Sequence, residues 1–215
     1  MQPEKKEHWE KVYETKTPDQ VSWTQENPKT SLDYIKASKL PKNAALIDIG
    51  GGDSLLVDYL LEEGYSQITV LDISEQAIKR AQERLGAAAD KVTWIVFDIL
   101  DFKPKKTYDL WHDRATFHFL TTTSEIETYK NTVKLWVESF MVLGVFSKEG
   151  PLKCSGLPIT QYNVAELTTC FGDAFEVLHA QTEDHSTPFD TLQNFQFAHL
   201  KKKIKACKSL FSSVY

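Results

Sequence analysis

Leu46-Ile47-Asp48-Ile49 runs directly into Gly50-Gly51-Gly52, followed by Asp53-Ser54. The segment Ala44 to Ile49 is a short apolar run bounded by Pro41 and the glycines, the pattern of a buried parallel strand. The glycines let the chain turn sharply and let a ligand approach the backbone, because no Cβ intervenes. A second acid, Asp72, ends the next apolar run, Ile68 to Leu71. An acid at the end of the second strand can hydrogen-bond the two hydroxyls of a ribose. Strand, glycine turn, helix and acid together predict an α/β sheet that holds a nucleoside-containing cofactor.

The rest of the chain extends this unit. Leu55 to Leu61 carries helical spacing that ends near Gly64, and Ser74 is a plausible cap for a helix reaching about Leu85. Val92 to Phe97, Tyr108 to His112 and Ser139 to Phe146 read as the third, fourth and fifth strands, with a helix from Glu125 to Val137 before the fifth. Alternation of this kind gives a parallel sheet covered on both faces by helices. Beyond the glycine- and proline-marked loop Gly150 to Pro158 come a short helix, Asn163 to Cys170, and two strands, Phe175 to Ala180 and Asn194 to Leu200. The polar connection between them exceeds ten residues, so a close hairpin is not expected. The first forty residues hold Trp9, Tyr13 and Trp23 among polar residues and prolines, and read as an arm or lid. The expected organisation is an N-terminal arm over 1–40, a main domain over 41–203 and a tail over 204–215.

The glycine turn alone serves nicotinamide, flavin and S-adenosylmethionine (SAM) enzymes alike. Three details favour SAM. Asp48 lies inside the strand end, two residues before Gly50, where it can hold the cationic amino-acid end of SAM. The third glycine of the dinucleotide fingerprint is absent, Leu55 standing in its place. Asp98 ends the third strand, where it can accept the adenine amino proton, with Ile73 and Ile99 as apolar faces for the ring. Each acid taken singly could be a helix cap or a solvated loop carboxylate. Asp48, Asp72 and Asp98 at the ends of three successive strands favour a ligand, because such sheets bind at the carboxyl ends of their strands.

Composition closes other routes. The net charge is −5, which argues against a protein that tracks nucleic-acid phosphates. No apolar run reaches membrane-span length, and the polar start Met1 to Glu7 lacks the core of a signal peptide. Cys154, Cys170 and Cys207 are few and widely spaced. They imply neither a disulfide framework nor a metal pair, and a reduced, cytoplasmic setting is the default expectation. His179 and His185 lack the company of a metal site.

Ile47-Asp48-Ile49-Gly50-Gly51-Gly52-Asp53, Leu71-Asp72-Ile73-Ser74 and Phe97-Asp98-Ile99 resemble the cofactor motifs of the class I SAM-dependent methyltransferases. The resemblance covers about Pro41 to Lys203 and implies a Rossmann-like, mostly parallel seven-stranded sheet. Gly52-Asp53-Ser54, with Gly64-Tyr65 and Asp72-Ile73-Ser74, resembles a branch that includes protein lysine methyltransferases. Asp109 followed by Asp113-Arg114-Ala115-Thr116 resembles both that branch and the thiopurine S-methyltransferases. Ser54 replaces the usual last glycine of the first motif, and Trp136 to Phe140 replaces the usual Pro-Gly-Gly before the fifth strand.

Methyl transfer from a sulfonium is an in-line displacement that needs alignment and exclusion of water more than a catalytic triad, and a base only when the acceptor arrives protonated. The resemblance places Asp113 and Arg114 at the cofactor–acceptor junction, Asp113 touching the cofactor as well; the competing reading is an internal ion pair. His118 is read as a core histidine, His112 has no assigned role, and Cys154 is read as incidental. Trp23 and Gln25 could fold over the cofactor and meet its sulfonium by cation–π attraction. The expected acceptor is a protein lysine or a small thiol or related metabolite. A nicotinamide-dependent oxidoreductase and a SAM-binding module without turnover are the remaining alternatives.

Overall fold

The protein was analysed as a computed structural model that describes residues 3–204. Seven strands form one sheet: β1 (Ala45–Ile49), β2 (Gln67–Asp72), β3 (Val92–Val96), β4 (Tyr108–Arg114), β5 (Val137–Phe146), β8 (Phe175–Ser186) and β9 (Leu192–Lys202), while β6 (Lys153–Cys154) and β7 (Leu157–Pro158) pair separately. The spatial order is β3-β2-β1-β4-β5-β9-β8. The first five strands and the edge strand β8 run in one direction, and β9, between β5 and β8, is antiparallel to both. This is the Rossmann-like seven-stranded architecture that the sequence predicts.

Alternate residues of the central strands feed two cores. On one face Ile47, Ile49, Trp111 and Met141 pack with Tyr129 and Val133 of α5 (Thr123–Trp136) and Leu167 and Phe171 of α6 (Val164–Phe171). On the other face Leu46, Val70, Leu110 and Val142 pack with Ile35 of α2 (Lys29–Ala37), Leu60 of α3 (Leu56–Glu62) and Ile78 of α4 (Glu75–Leu85). Both faces of a parallel sheet are thus covered, which is why its strands read as near-continuous apolar runs. Ser74 caps α4 as expected, its hydroxyl accepting the Ala77 N–H at 3.2 Å.

Three boundaries differ from the sequence reading. The arm contains two helices, α1 (Pro3–Thr15) and α2; their turns carry Trp9 with Tyr13 and Leu32 with Ile35, each pair at helical spacing. Where Pro-Gly-Gly is missing, α5 passes into β5 without a loop, Trp136 ending the helix and Val137 opening the strand. Most substantially, β8 and β9 form a close hairpin paired through Ser186 and Leu192. The long polar connection is an illusion of composition. As the edge strand, β8 exposes most of its side chains beyond Ala180, so polar residues occupy a regular strand. The C-terminal tail expected from residue 204 lies, apart from Ile204, outside the described residues.

Candidate active site

A cavity of about 260 Å³ opens at the carboxyl ends of β1 to β4, where ligands bind in open α/β sheets. Its lining includes Asp48, Gly50, Gly51, Asp72, Ile73, Asp98 and Ile99, with Trp9, Tyr13 and Trp23 from the arm and Arg114 and Phe119 from the far side. The sequence-predicted residues from three strand ends therefore converge on one space. Gly52 is not in the lining, but its backbone N–H favours the charged form of the Asp72 carboxylate.

The glycine turn fits this place for steric reasons. Gly50 has φ +65°, and a Cβ there would lie 1.8 Å from Thr116 Oγ1. Gly52 has φ +46°, with Tyr13 Oη 2.9 Å and Asp72 Oδ2 3.0 Å from where its Cβ would sit. Both positions combine the left-handed region with a close approach, and only glycine satisfies both. A Cβ at Gly51 would come within 2.6 Å of Asp48 Oδ2. The turn therefore leaves room for carboxylates and, beside them, for a nucleoside cofactor.

Two of the acids are held locally and the third across strands. Asp72 Oδ1 accepts the Ser74 N–H at 2.8 Å, and Asp98 Oδ1 accepts the Leu100 N–H at 3.0 Å. Asp72 is only 5% exposed, and burial pushes its carboxyl up to about 7, assisted by Asp53 and Asp48 and opposed by the Ser74 and Gly52 N–H groups. Asp48 Oδ1 accepts a 2.6 Å hydrogen bond from His112 Nδ1, and His112 Nε2 meets Ser31 Oγ at 2.8 Å. His112 thus orients an acid of the site, a role its sequence context did not disclose. The spacing held the signal: β1 and β4 are neighbours, with Asp48 and His112 in register.

The arm roofs the cavity. Trp9 makes edge contacts with Trp23 at 5.6 Å and Phe119 at 5.2 Å between ring centroids. Glu10 accepts hydrogen bonds from Ser74 Oγ at 2.8 Å, Glu75 N at 2.8 Å and Gln76 N at 3.1 Å, so α1 caps α4 from outside. Lys5 reaches Glu125 at 2.8 Å. Trp23 and Gln25 line the cavity as expected, and Trp9 and Tyr13 join them.

Neighbouring residues at the end of β4 diverge. Arg114 lines the cavity. Asp113 does not: it is 0% exposed and points to the opposite face, where its oxygens accept from Tyr129 Oη at 2.6 Å, Thr116 N at 3.0 Å and Phe117 N at 3.1 Å. The expectation that Asp113 touches cofactor or acceptor does not fit this position, because alternation along a strand separates adjacent side chains. The competing ion-pair reading fails as well, since its partners are a phenol and two amides. The Thr116 loop that it fixes returns to the glycine turn, Thr116 Oγ1 donating to Ile49 O at 3.2 Å.

His118 is fully buried and its Nδ1 accepts from Phe146 N at 3.3 Å. Burial, with Arg114 nearby, lowers it to about 3, so it is a neutral core residue. Burial raises the Cys154 thiol to about 12, the opposite of an activated nucleophile. Among the described residues no cluster of three His, Cys, Asp or Glu side chains could hold a metal, and no helix is long and apolar enough to cross a membrane.

Comparison with known proteins decides between cofactors. The sequence profile of a methyltransferase domain matches residues 47–136, the stretch carrying all three acids and β4. The matched stretch is similar to a methyltransferase domain, and the fold around it is one that SAM-dependent methyltransferases share. The cofactor of such a domain is S-adenosylmethionine. The mouse eEF1A lysine and N-terminal methyltransferase is 29% identical over 143 residues, 65% of this chain, but the match spans only 20% of that protein. The mouse EEF1A lysine methyltransferase 2 is 24% identical over 184 residues, covering 80% of this chain and 72% of its own length. The solved structure of a SAM-dependent methyltransferase from Anabaena variabilis superposes with a TM-score of 0.72 at 14% identity, over 92% of this chain and 93% of that one. The methyltransferase fold therefore extends over the arm and the β8–β9 hairpin, beyond the segment matched by the profile.

Proposed function

We propose that this methyltransferase alkylates a small-molecule nucleophile enclosed between the arm and the end of β4. When bound, SAM supplies a methyl group on a cationic sulfur that departs as a neutral thioether. The protein's contribution is placement. Asp72 is positioned to accept the ribose hydroxyls, Asp48 to hold the cationic amino group, and Asp98 with Ile73 and Ile99 to hold the adenine. Trp9, Trp23 and Phe119 exclude water from the space beyond, which raises the rate of an in-line displacement by orienting the reactants.

The observation that carries the small-molecule reading is the roof. Helix α1 is fastened across the strand ends by Glu10 and Lys5, and the aromatic chamber beneath it also holds the Arg114 guanidinium, which lowers the affinity of the site for a lysine ammonium by like-charge repulsion. A protein lysine is the second reading, supported by the names of the two mouse relatives. The small-thiol version loses half its support now that Asp113 faces the other core. A cytoplasmic setting fits the free thiols of Cys154 and Cys170, and the net charge of −5 favours acceptors other than nucleic acid.

The test is transfer of tritiated methyl from SAM into a cell extract divided into protein and small-molecule fractions. Label in the small-molecule fraction is expected. Label confined to protein lysines would overturn this reading in favour of the second.

A further inference from the structure

We propose that the acceptor carries a carboxylate, and that Arg114 binds it through one edge of its guanidinium. The inference rests on the small-molecule reading above and names the substrate's chemistry.

Three cations line the cavity: Lys5, Arg84 and Arg114. Two are satisfied. Lys5 pairs with Glu125 at 2.8 Å, and Arg84 pairs with Asp58 at 2.8 Å while donating to the carbonyls of Asp53 and Ser54. Arg114 is different. Its Nη1 donates to Trp23 O at 2.9 Å, and its guanidinium carbon lies 4.6 Å from the Phe195 ring centroid. Its Nε and Nη2 are buried and have no hydrogen-bond partner. Glu183 is the acid with the strongest pull on it, but that carboxylate is engaged by the Thr30 hydroxyl and makes no ion pair with Arg114.

The pattern of used and unused donors is informative. Nε–H and the near N–H of Nη2 leave the guanidinium on the same side and in parallel. They form the fork that takes the two oxygens of one carboxylate. Trp23 O occupies the opposite end and Phe195 covers a face, so the group is held rigidly with that one fork unclaimed. An arginine serving only to tie the arm to the sheet would satisfy its fork within the protein, since a buried donor left unpaired opposes folding. Burial lowers the affinity of Arg114 for its proton, to about 10, which leaves it charged at neutral pH.

The surroundings fit a carboxylate joined to an apolar body. Trp9, Trp23 and Phe119 wall the space beside Arg114. The fork has no solvent contact, so an acceptor reaches it only when a side chain covering it moves aside.

The experiment fractionates the small-molecule extract on an anion exchanger before the labelling reaction. Loaded at about pH 11, where amines are neutral, carboxylic acids including amino acids are retained, and they are released when the column is brought below about pH 3, where the carboxyl is neutral; phosphates and sulfonates stay bound. The expected result is that the released acids accept label and that the unretained fraction does not. Arg114→Gln should raise KM for that fraction at least tenfold while S-adenosylhomocysteine affinity stays within about twofold, and Arg114→Lys should recover part of the loss, since charge remains but the fork does not. Label in the unretained or the still-bound fraction overturns the carboxylate assignment and leaves the small-molecule reading standing. Label in protein alone, or none in any fraction, overturns that reading itself. The fractionation needs no variant, so a misfolded substitution cannot rescue the proposal.

Discussion

The two halves of the cavity are assembled in different ways. On the cofactor side, Asp72 and Asp98 each accept the N–H of the residue two positions on, Ser74 and Leu100. For these two, acid and support come from one turn at the end of one strand; Asp48, held by His112 of the neighbouring strand, is the exception. On the acceptor side, Trp9, Trp23, Arg114 and Phe119 come from the arm and the β4 loop, and Arg114 is steadied by Phe195 of β9. A binding unit built within a turn is fixed by local sequence. One built across the fold depends on packing, and can change its acceptor while the cofactor side stays constant.

If that contrast holds, the most damaging change lies in the turn itself. Gly50→Ala places a Cβ on Thr116 Oγ1 in a left-handed backbone, so either the turn or the β4 loop must move. S-adenosylhomocysteine affinity is expected to fall at least a hundredfold by calorimetry. Adding Thr116→Gly should recover part of it by removing the clash while leaving the backbone strain. No recovery would mean that strain dominates.

Asp72→Ala should weaken SAM binding by about 1–3 kcal/mol, the cost of unmade buried hydrogen bonds. Asp72 also predicts a pH dependence. Its folded pKa of about 7 lies above the ordinary value of about 3.9, so the folded state binds this proton more tightly than the unfolded state. Its contribution to stability is therefore largest below about pH 4 and declines as pH rises toward 7. Relative to wild type, the ligand-free Asp72→Asn variant should gain Tm as pH rises through this window. A constant difference between the two proteins from pH 4 to 7 would show that Asp72 ionises without penalty.

The two neighbours at the end of β4 sharpen the contrast. Asp113→Ala removes the acceptor for Tyr129 Oη and two amides within the core. It should destabilise the protein by about 1–3 kcal/mol in a thermal or urea melt, with S-adenosylhomocysteine affinity changed less than about threefold. A stable variant with impaired cofactor binding would return Asp113 to the site.

These residues show what could be read from the chain and what could not. The five parallel strands, the Ser74 cap and the three strand-end acids were legible because apolar runs, caps and turns are short-range patterns. The divergence of Asp113 from Arg114 was readable in principle from strand alternation, but a family likeness that groups them obscured it. The pairing of Asp48 with His112 required knowing that β1 and β4 adjoin. The β8–β9 hairpin was hidden because an edge strand exposes Gln181 to Asp184 almost as a loop would. The helix α1 was hidden because its exposed face carries lysines and glutamates, while its function lies in Trp9, Tyr13 and Glu10, and the hydrogen-bond partners of Glu10 are more than sixty residues away.

That helix offers the mildest test of the contrast, and one that separates a wall from a door. Glu10 takes the Ser74 hydroxyl and the first N–H groups of α4. Although burial works against its charge, those bonds hold its carboxyl below the usual range. Removing a comparable cap costs about 1 kcal/mol, so Glu10→Ala should speed amide exchange across Trp9 to Tyr13 about fivefold. If α1 must lift for the ligand to leave, S-adenosylhomocysteine dissociation measured by stopped flow should quicken by a similar factor, because opening and release share one equilibrium. If exchange quickens and dissociation does not, α1 is a fixed wall and the ligand leaves by another route. The acceptor side would then be as rigid as the cofactor side, and its specificity would reside in Arg114 and the aromatic rings rather than in a moving arm.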